Sequence, residues 1–100
     1  MKDTIEKLNK AFESRIRLGI MSALMVNDAV DFLELKDLLD VTDGNLASHV
    51  SALEKLDYIA VKKEFVGKKT RTSYVVTSLG RKEFNYHLNA LEKLVKQNRK

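Results

Sequence analysis

Two short amphipathic patterns that meet at Val41-Thr42 constrain the fold of this chain more than any other feature of its sequence. Within residues 34–40, Leu35, Leu38 and Leu39 recur at helical spacing. Within residues 43–56, an apolar stripe continues at intervals of three or four residues: Leu46, Val50, Leu53 and Leu56. The side chain of Thr42 or Asp43 can accept hydrogen bonds from the N–H groups that begin the second helix. A short helix, a tight turn and a longer helix with an apolar inner stripe form the helix-turn-helix pattern, although other helical hairpins share this spacing.

The outward face of the second helix carries small or short hydrogen-bonding residues where a solvated helix would carry Glu and Lys. These residues are Gly44, Asn45, Ala47, Ser48, Ser51 and Ala52. Such a face permits another surface to approach the helix closely.

A two-strand pattern follows this helix. Residues 58–66 alternate Ile59 and Val61 with Lys62, and residues 71–77 alternate apolar Tyr74 and Val76 with polar neighbours. The connection between them is Gly67-Lys68-Lys69-Thr70, in which glycine permits the reversal and adjacent ammonium groups repel each other. A lysine-tipped hairpin after the second helix is a wing, although lysines also protect an edge strand from aggregation.

The positive charge of the chain is concentrated around this hairpin. The net charge is +4 overall. Residues 58–82 carry seven basic side chains and one acid, Glu64, which leaves +6 there and −2 in the rest of the chain. This segment is consistent with a polyanion-binding surface and also with an ordinary solvated face.

The remaining segments predict helices on both sides of these elements. Residues 14–27 are apolar around most of a helix and predict a central core helix, and residues 29–32 suit a very short strand. Residues 3–13 and 77–97 predict terminal helices with apolar seams. The seam residues are Ile5, Leu8, Phe12, Phe84, Leu88, Leu91, Leu94 and Val95. We expect these seams to form a homodimer, while folding back onto the chain's own core is the alternative.

Composition excludes several other classes of protein. A chain of 100 residues with 44% apolar content suits a single domain spanning residues 1–100. The sequence has no membrane-length apolar run and no secretory signal, so we expect a cytoplasmic protein. With no Cys and only His49 and His87, a zinc site would need carboxylates, and we expect neither a metal nor a cofactor. The sequence shows no nucleophile with a base and no phosphate-cradling glycine loop, so we do not expect an enzyme.

Five segments together resemble the small one-domain winged helix-turn-helix transcriptional regulators related to MarR-like and ArsR-like repressors. They are SRIRLGIMSAL, VDFLELKDLL, TDGNLASHVSALEKLDYI, VGKKTRTSYVVT and SLGRKEF. The resemblance implies a mainly α fold with a small β-wing, in the order α-α-β-α-α-β-β-α. It also implies that residues 43–56 form a recognition helix in the DNA major groove and that the wing reaches the minor groove or the backbone.

The resemblance also implies roles for specific residues. The predicted recognition residues are Thr42, Asp43, Gly44, Asn45, Ser48, His49, Ser51 and Ala52, and the predicted wing residues are Lys62, Lys63, Lys68, Lys69, Thr70 and Arg71. Asn45 has the donor and acceptor that match adenine, and Arg71 could enter a narrow A·T minor groove. His49 either contacts DNA or bonds a neighbouring helix, and His87 is expected to be structural.

The sequence departs from the relatives at two positions. Asp57 stands where relatives often have Gly after the recognition helix, and Asp tolerates the left-handed conformation better than most side chains. Leu33 stands where Ser or Thr would cap the short helix, a loss of about 1 kcal/mol. ArsR-like metal sensing relies on cysteines, so that mechanism is not carried over to this chain.

The sequence therefore predicts a homodimeric transcriptional regulator that binds an inverted-repeat DNA operator and acts as a repressor. The alternative is a winged-helix module that docks another protein on the same face. Two modes of regulation stay open, a small ligand in the dimer cleft or a response to the protein's own concentration.

Overall fold

The computed structural model describes residues 1–99 and has the predicted mainly α architecture with a small β-wing. The helices are α1 (Lys2–Glu6), α2 (Arg15–Val26), α3 (Phe32–Leu39), α4 (Asp43–Lys55) and α5 (Ser78–Gln97), and the strands are β1 (Val30–Asp31), β2 (Ile59–Val66) and β3 (Lys69–Val76). The strands form one antiparallel sheet in the order β1-β3-β2. The predicted element order is confirmed.

Three helices begin at hydroxyl caps that the sequence makes visible. The side-chain oxygen of Ser14 accepts from the Arg17 N–H at 3.3 Å, that of Thr42 from the Asn45 N–H at 3.2 Å, and that of Thr77 from the Gly80 N–H at 2.9 Å. Each cap satisfies a backbone donor that the first helical turn leaves open, which is worth about 1 kcal/mol.

The prediction of one N-terminal helix over residues 3–13 is wrong. α1 ends at Glu6, and a separate 3₁₀ turn covers Lys10–Phe12. Asn9 divides the two, because its side chain accepts from the Ala11 N–H at 2.9 Å while its own N–H donates to Nδ1 of His87 at 2.9 Å. The long-range bond to α5 replaces the bond that a continuous helix would make.

The expected loss of a cap at α3 is also wrong. The helix begins at Phe32, two residues before the predicted start, and Asp31 is its N-cap. The Asp31 carboxylate accepts from the Glu34 N–H at 2.8 Å. Leu33 therefore lies inside the first turn, where no capping side chain is required.

The departure at Asp57 is accommodated as expected. Asp57 has a φ of 62°, in the left-handed region, two residues after the end of α4. Its carbonyl accepts from the hydroxyl of Thr77 at 2.6 Å, and the Tyr58 carbonyl accepts from the Thr77 N–H at 3.0 Å. These bonds join the end of α4 to the start of α5.

The core lies between α2, the inner stripe of α4 and the base of the hairpin. Its fully buried side chains are Phe12, Ile20, Met21, Leu24, Leu35, Leu46, Leu53 and Ile59. α2 packs against α3, α4 and β3, as expected for the central helix. Burial of this set supplies the main apolar stabilisation of the domain.

The turn of the hairpin is tighter than the sequence suggests. Pairing runs from Ile59 opposite Val76 to Val66 opposite Lys69. The connection is therefore Gly67-Lys68 alone, with Gly67 at a φ of 66°, and Lys69 already belongs to β3. The molecule is elongated, 59 Å in its longest dimension, because the hairpin and α5 extend beyond the core.

Candidate nucleic-acid interface

The buried stripe of α4 fixes which side chains this helix presents outward. Leu46, Val50 and Leu53 are buried in the core. The residues exposed on the opposite side are Gly44, Asn45, Ala47, Ser48 and Ser51, which we call the recognition face. Ala52 is half-buried at its margin. The geometry thus presents a face of short side chains on a rigidly packed helix.

Thr42 and Asp43, at the start of α4, are both exposed and both engaged within the chain. The Thr42 hydroxyl caps the helix at Asn45. The Asp43 carboxylate lies 2.8 Å from Nζ of Lys36 on α3, and this contact raises the pKa of the Lys36 ammonium. Lys36 thereby offsets a negative charge that would otherwise repel an anionic partner.

His49 is half-buried against α2. Its Nδ1 accepts from Nε of Arg17 at 3.0 Å. Burial and then the neighbouring positive charge of Arg17 lower the pKa of the imidazole, which favours its neutral form. The structure therefore assigns His49 a bond to a neighbouring helix, and contact with DNA stays a prediction.

The wing carries its cations on both sides of the tip. Lys63, Lys68, Lys69 and Thr70 are exposed. Nζ of Lys62 lies 2.8 Å from the Glu64 carboxylate, a contact that raises the pKa of Lys62 and lowers that of Glu64. Both partners are solvated, so the pair can open to a phosphate at little cost.

Arg71 is the third residue of β3 and is engaged within the chain, and its insertion into the minor groove stays a prediction. Its guanidinium pairs with Asp31 at 3.0 Å and with Glu34 at 2.7 Å. The backbone N–H of Glu34 and then the charge of Arg71 lower the pKa of Asp31. These three side chains, the Arg71 ion-pair cluster, fasten the hairpin to β1 and α3.

The predicted dimer residues divide between surface and core. Leu88, Leu91 and Val95 are exposed on α5 and form what we call the α5 seam, while Ile5 is exposed on α1. Leu8 and Leu94 are half-buried. The assignment of Phe12 and Phe84 to this surface is wrong, because both are buried and their rings meet edge to face, with centroids 5.1 Å apart.

Sequence reasoning missed the polar network that joins Asn9 to His87 in the middle of α5. Asn9 donates through its backbone N–H to His87 and through Nδ2 to the Tyr58 hydroxyl at 3.0 Å. His87 is buried, as its expected structural role requires, and burial lowers its pKa although Glu13 opposes the shift. The only local signal was the polar Asn9 between Leu8 and Phe12.

Arg15 is a second residue that the sequence did not single out. A surface cleft of about 450 Å³ separates the start of α2 from the start of α4. Its lining includes Arg15, Thr42 and Asn45. A cation therefore lies beside the first turn of α4, and only the tertiary fold brings it there.

Neither a metal cluster nor a membrane-spanning helix is found within residues 1–99. No group of three His, Cys, Asp or Glu side chains in this range could hold a metal ion. No helix in the same range is both long and apolar enough to cross a membrane.

Comparison with known proteins agrees with this geometry. The winged helix DNA-binding domain family matches residues 16–95. The chain belongs to this family. Over 87 residues it is 31% identical to an uncharacterized protein of Methanocaldococcus jannaschii, covering 87% of this chain and 95% of that protein.

Solved structures show the same fold. A transcriptional regulator homologue from Pyrococcus horikoshii superimposes with a TM-score of 0.76 at 30% identity, over 92% of this chain and 96% of that one. A Porphyromonas gingivalis protein assigned to the MarR family of transcriptional regulators superimposes with a TM-score of 0.68 at 20% identity, over 90% of this chain and 86% of that one. At 20% identity the likeness to the MarR-family protein shows a shared fold, and the ArsR-like resemblance stays a prediction.

Proposed function

We propose that this winged helix protein is a homodimeric transcriptional regulator that reads an inverted-repeat operator in double-stranded DNA. One observation carries the proposal: the recognition face lies on a helix whose opposite side is fully packed into the core, next to a hairpin tipped with lysines. A rigid helix of short polar side chains fits the major groove, which admits an α-helix.

Asn45 is the residue we propose for base recognition. It is exposed in the first turn of α4, and its side-chain amide can pair with N6 and N7 of adenine. Ser48 and Ser51 follow at three-residue intervals on the same side and can bond bases or phosphates. Gly44 and Ala47 allow the helix backbone to approach the groove closely.

The wing lysines supply affinity rather than sequence information. Lys63, Lys68 and Lys69 are exposed along and at the tip of the hairpin. Each lysine that neutralises a phosphate releases a condensed counterion, so binding weakens as the salt concentration rises. Arg71 contributes by holding the hairpin in place through its ion-pair cluster.

Dimerisation through the terminal helices would present two recognition helices. The α5 seam leaves three aliphatic side chains exposed along one helix, as a helix with a missing partner does. A twofold dimer places its helices about one helical turn, roughly 10 base pairs, apart on DNA. We further propose that the bound dimer acts as a repressor.

Binding to random-sequence duplex DNA across a salt series tests this function. We expect log Kd to vary linearly with log salt, and a Lys68→Ala/Lys69→Ala variant to reduce the slope by about two units per protomer. Lys93→Ala, on α5, is the control and should keep the slope. A slope that the wing variant leaves unchanged would contradict the proposal and direct the search to protein partners of the recognition face.

A further inference from the structure

The side chain of Phe65 is highly exposed, and the proposed phosphate contacts do not explain this exposure. Its side chain is 82% exposed, against 52% for Tyr86, the next most exposed aromatic residue of the described chain. It lies in β2, two residues before the turn, beyond the end of the core. A large apolar side chain held in water at a protruding tip is typical of a contact that forms with a partner.

Strand register determines the direction in which Phe65 projects. Successive residues of a strand point to opposite faces, so Phe65 shares a face with Lys63, Val61 and Ile59. Ile59 is buried in the core together with the inner stripe of α4. Phe65 therefore projects from the face of the hairpin on which α4 packs, and a duplex seated on α4 lies on that side.

The surroundings of Phe65 favour an anionic partner over an apolar protein groove. Lys63 precedes it on the same face, and Lys68 and Lys69 follow at the tip. Thr70, directly across the ladder, is exposed and adds a hydroxyl. Charged side chains are depleted in the centre of protein–protein interfaces, whereas an apolar group with lysines nearby suits the sugar and base edges between two phosphate strands.

The base of the hairpin holds this tip in a defined position. β2 and β3 pair along their whole length, and the Arg71 ion-pair cluster connects β3 to β1 and α3. Phe65 is therefore presented by an ordered support, so little conformational entropy is lost when it makes a contact.

We propose that Phe65 is an apolar wedge that enters the DNA minor groove and partly opens one base step. The proposal rests on the DNA-binding function argued above. The minor groove is about 6 Å wide and admits the edge of a phenyl ring, and apolar wedges in this groove kink DNA by about 20–90°. Pyrimidine–purine steps such as TA unstack most easily, so the wedge selects flexible A·T steps beside the half-site read by α4.

The test uses the full chain and an A·T-rich duplex of about 30 base pairs, with 2-aminopurine at its central TA steps and a dye pair at its ends. On binding wild type, we expect 2-aminopurine fluorescence to rise and the distance between the dyes to shorten. Phe65→Ala should lose both signals and bind about tenfold more weakly, because the buried phenyl is removed. Phe65→Leu, which keeps an apolar wedge, should retain most of both signals.

Val66→Ala is the matched control. Val66 is 58% exposed and lies next to Phe65 on the opposite face of the hairpin, so its loss should leave both signals unchanged. Wild-type binding with signals that Phe65→Ala does not alter would overturn the wedge and leave the proposed function intact. Failure of wild type to bind the duplex would overturn both. A Phe65→Ala variant that changes the sedimentation of the free protein would show instead that Phe65 contacts protein.

Discussion

The recognition face of α4 and the α5 seam are both exposed, yet their chemistry is opposite. On α4 the outward residues are short and polar, and the large apolar side chains Leu46, Val50 and Leu53 all point into the core. On α5 the outward residues include Leu88, Leu91 and Val95, at 43%, 39% and 73% exposure. The polar recognition face can stay hydrated until a polar partner displaces its water. Covering the apolar α5 seam with an apolar partner lowers the free energy, so that surface favours association. This contrast supports the proposal that the first surface binds DNA and that the other binds a second copy of the chain.

The largest expected effect is at the α5 seam. Leu91→Asp should convert the dimer to a monomer, because it places a charge in an apolar interface while replacing a side chain that the folded monomer leaves partly exposed. Operator affinity should fall by about 100-fold or more, since each half-site is then bound independently. Sedimentation velocity and DNA binding measure the two effects.

A control on the same helix separates the seam from the helix itself. Asn89→Asp introduces the same charge about 160° around α5 from Leu91, and it should leave the dimer intact. If Leu91→Asp sediments as wild type does, the seam is not the dimer interface, and the contrast between the two surfaces fails.

A smaller effect is expected at the Arg71 ion-pair cluster. Arg71→Ala should accelerate amide hydrogen exchange in β3 and lower stability by about 0.5–1 kcal/mol, because the paired side chains are partly solvated. Lys63→Ala, on β2, should leave exchange unchanged. Unchanged exchange in Arg71→Ala would mean that Arg71 does not fasten the wing and is available to contact DNA.

The smallest effect concerns His87. Burial lowers the pKa of its imidazole below the ordinary value of 6.5, so the unfolded chain takes up the proton at a higher pH than the folded chain. Stability contributed by neutral His87 is thus complete above about pH 6.5 and is lost as the pH falls from there toward the folded pKa. Melting temperature should fall between pH 7.5 and pH 5.5 because protonated Nδ1 cannot accept from Asn9.

His87→Gln supplies the comparison for that pH dependence. The variant keeps an acceptor for the Asn9 N–H without a titrating group, so its melting temperature should fall less steeply with acid. His49 contributes a slope of the same sign and remains in both proteins. Identical slopes in wild type and variant would show that His87 is not the source.

Features that depend on neighbouring residues could be predicted from the sequence, and features that depend on distant residues could not. Thr42 stands directly before an apolar-periodic segment, so the start of α4 followed from capping chemistry. The break at Asn9 could not be predicted because its hydrogen-bond partner, His87, lies 78 residues away. The ion pairs of Arg71 could not be predicted for the same reason, since its carboxylate partners lie 37 and 40 residues away in sequence.

Burial of side chains on the terminal helices also depends on distant contacts that the sequence pattern does not reveal. Periodicity placed Phe12 and Phe84 on one seam with Leu88, Leu91 and Val95, yet a seam seen in sequence does not distinguish a side chain's own core from a partner's surface. The two phenylalanines meet each other inside the chain, and the aliphatic residues beyond them extend past the core. Only the position at which the core ends separates the two groups.

Selection of preferred sites from a random duplex pool, with wild type beside Asn45→Ala, tests the central claim most directly. We predict that wild type enriches an inverted repeat whose half-sites lie about 10 base pairs apart. Asn45→Ala should relax one position in each half-site by about 1–3 kcal/mol without changing the spacing. Absence of enrichment by wild type, or an identical site preference in Asn45→Ala, would contradict the assignment of α4 as the sequence-reading helix.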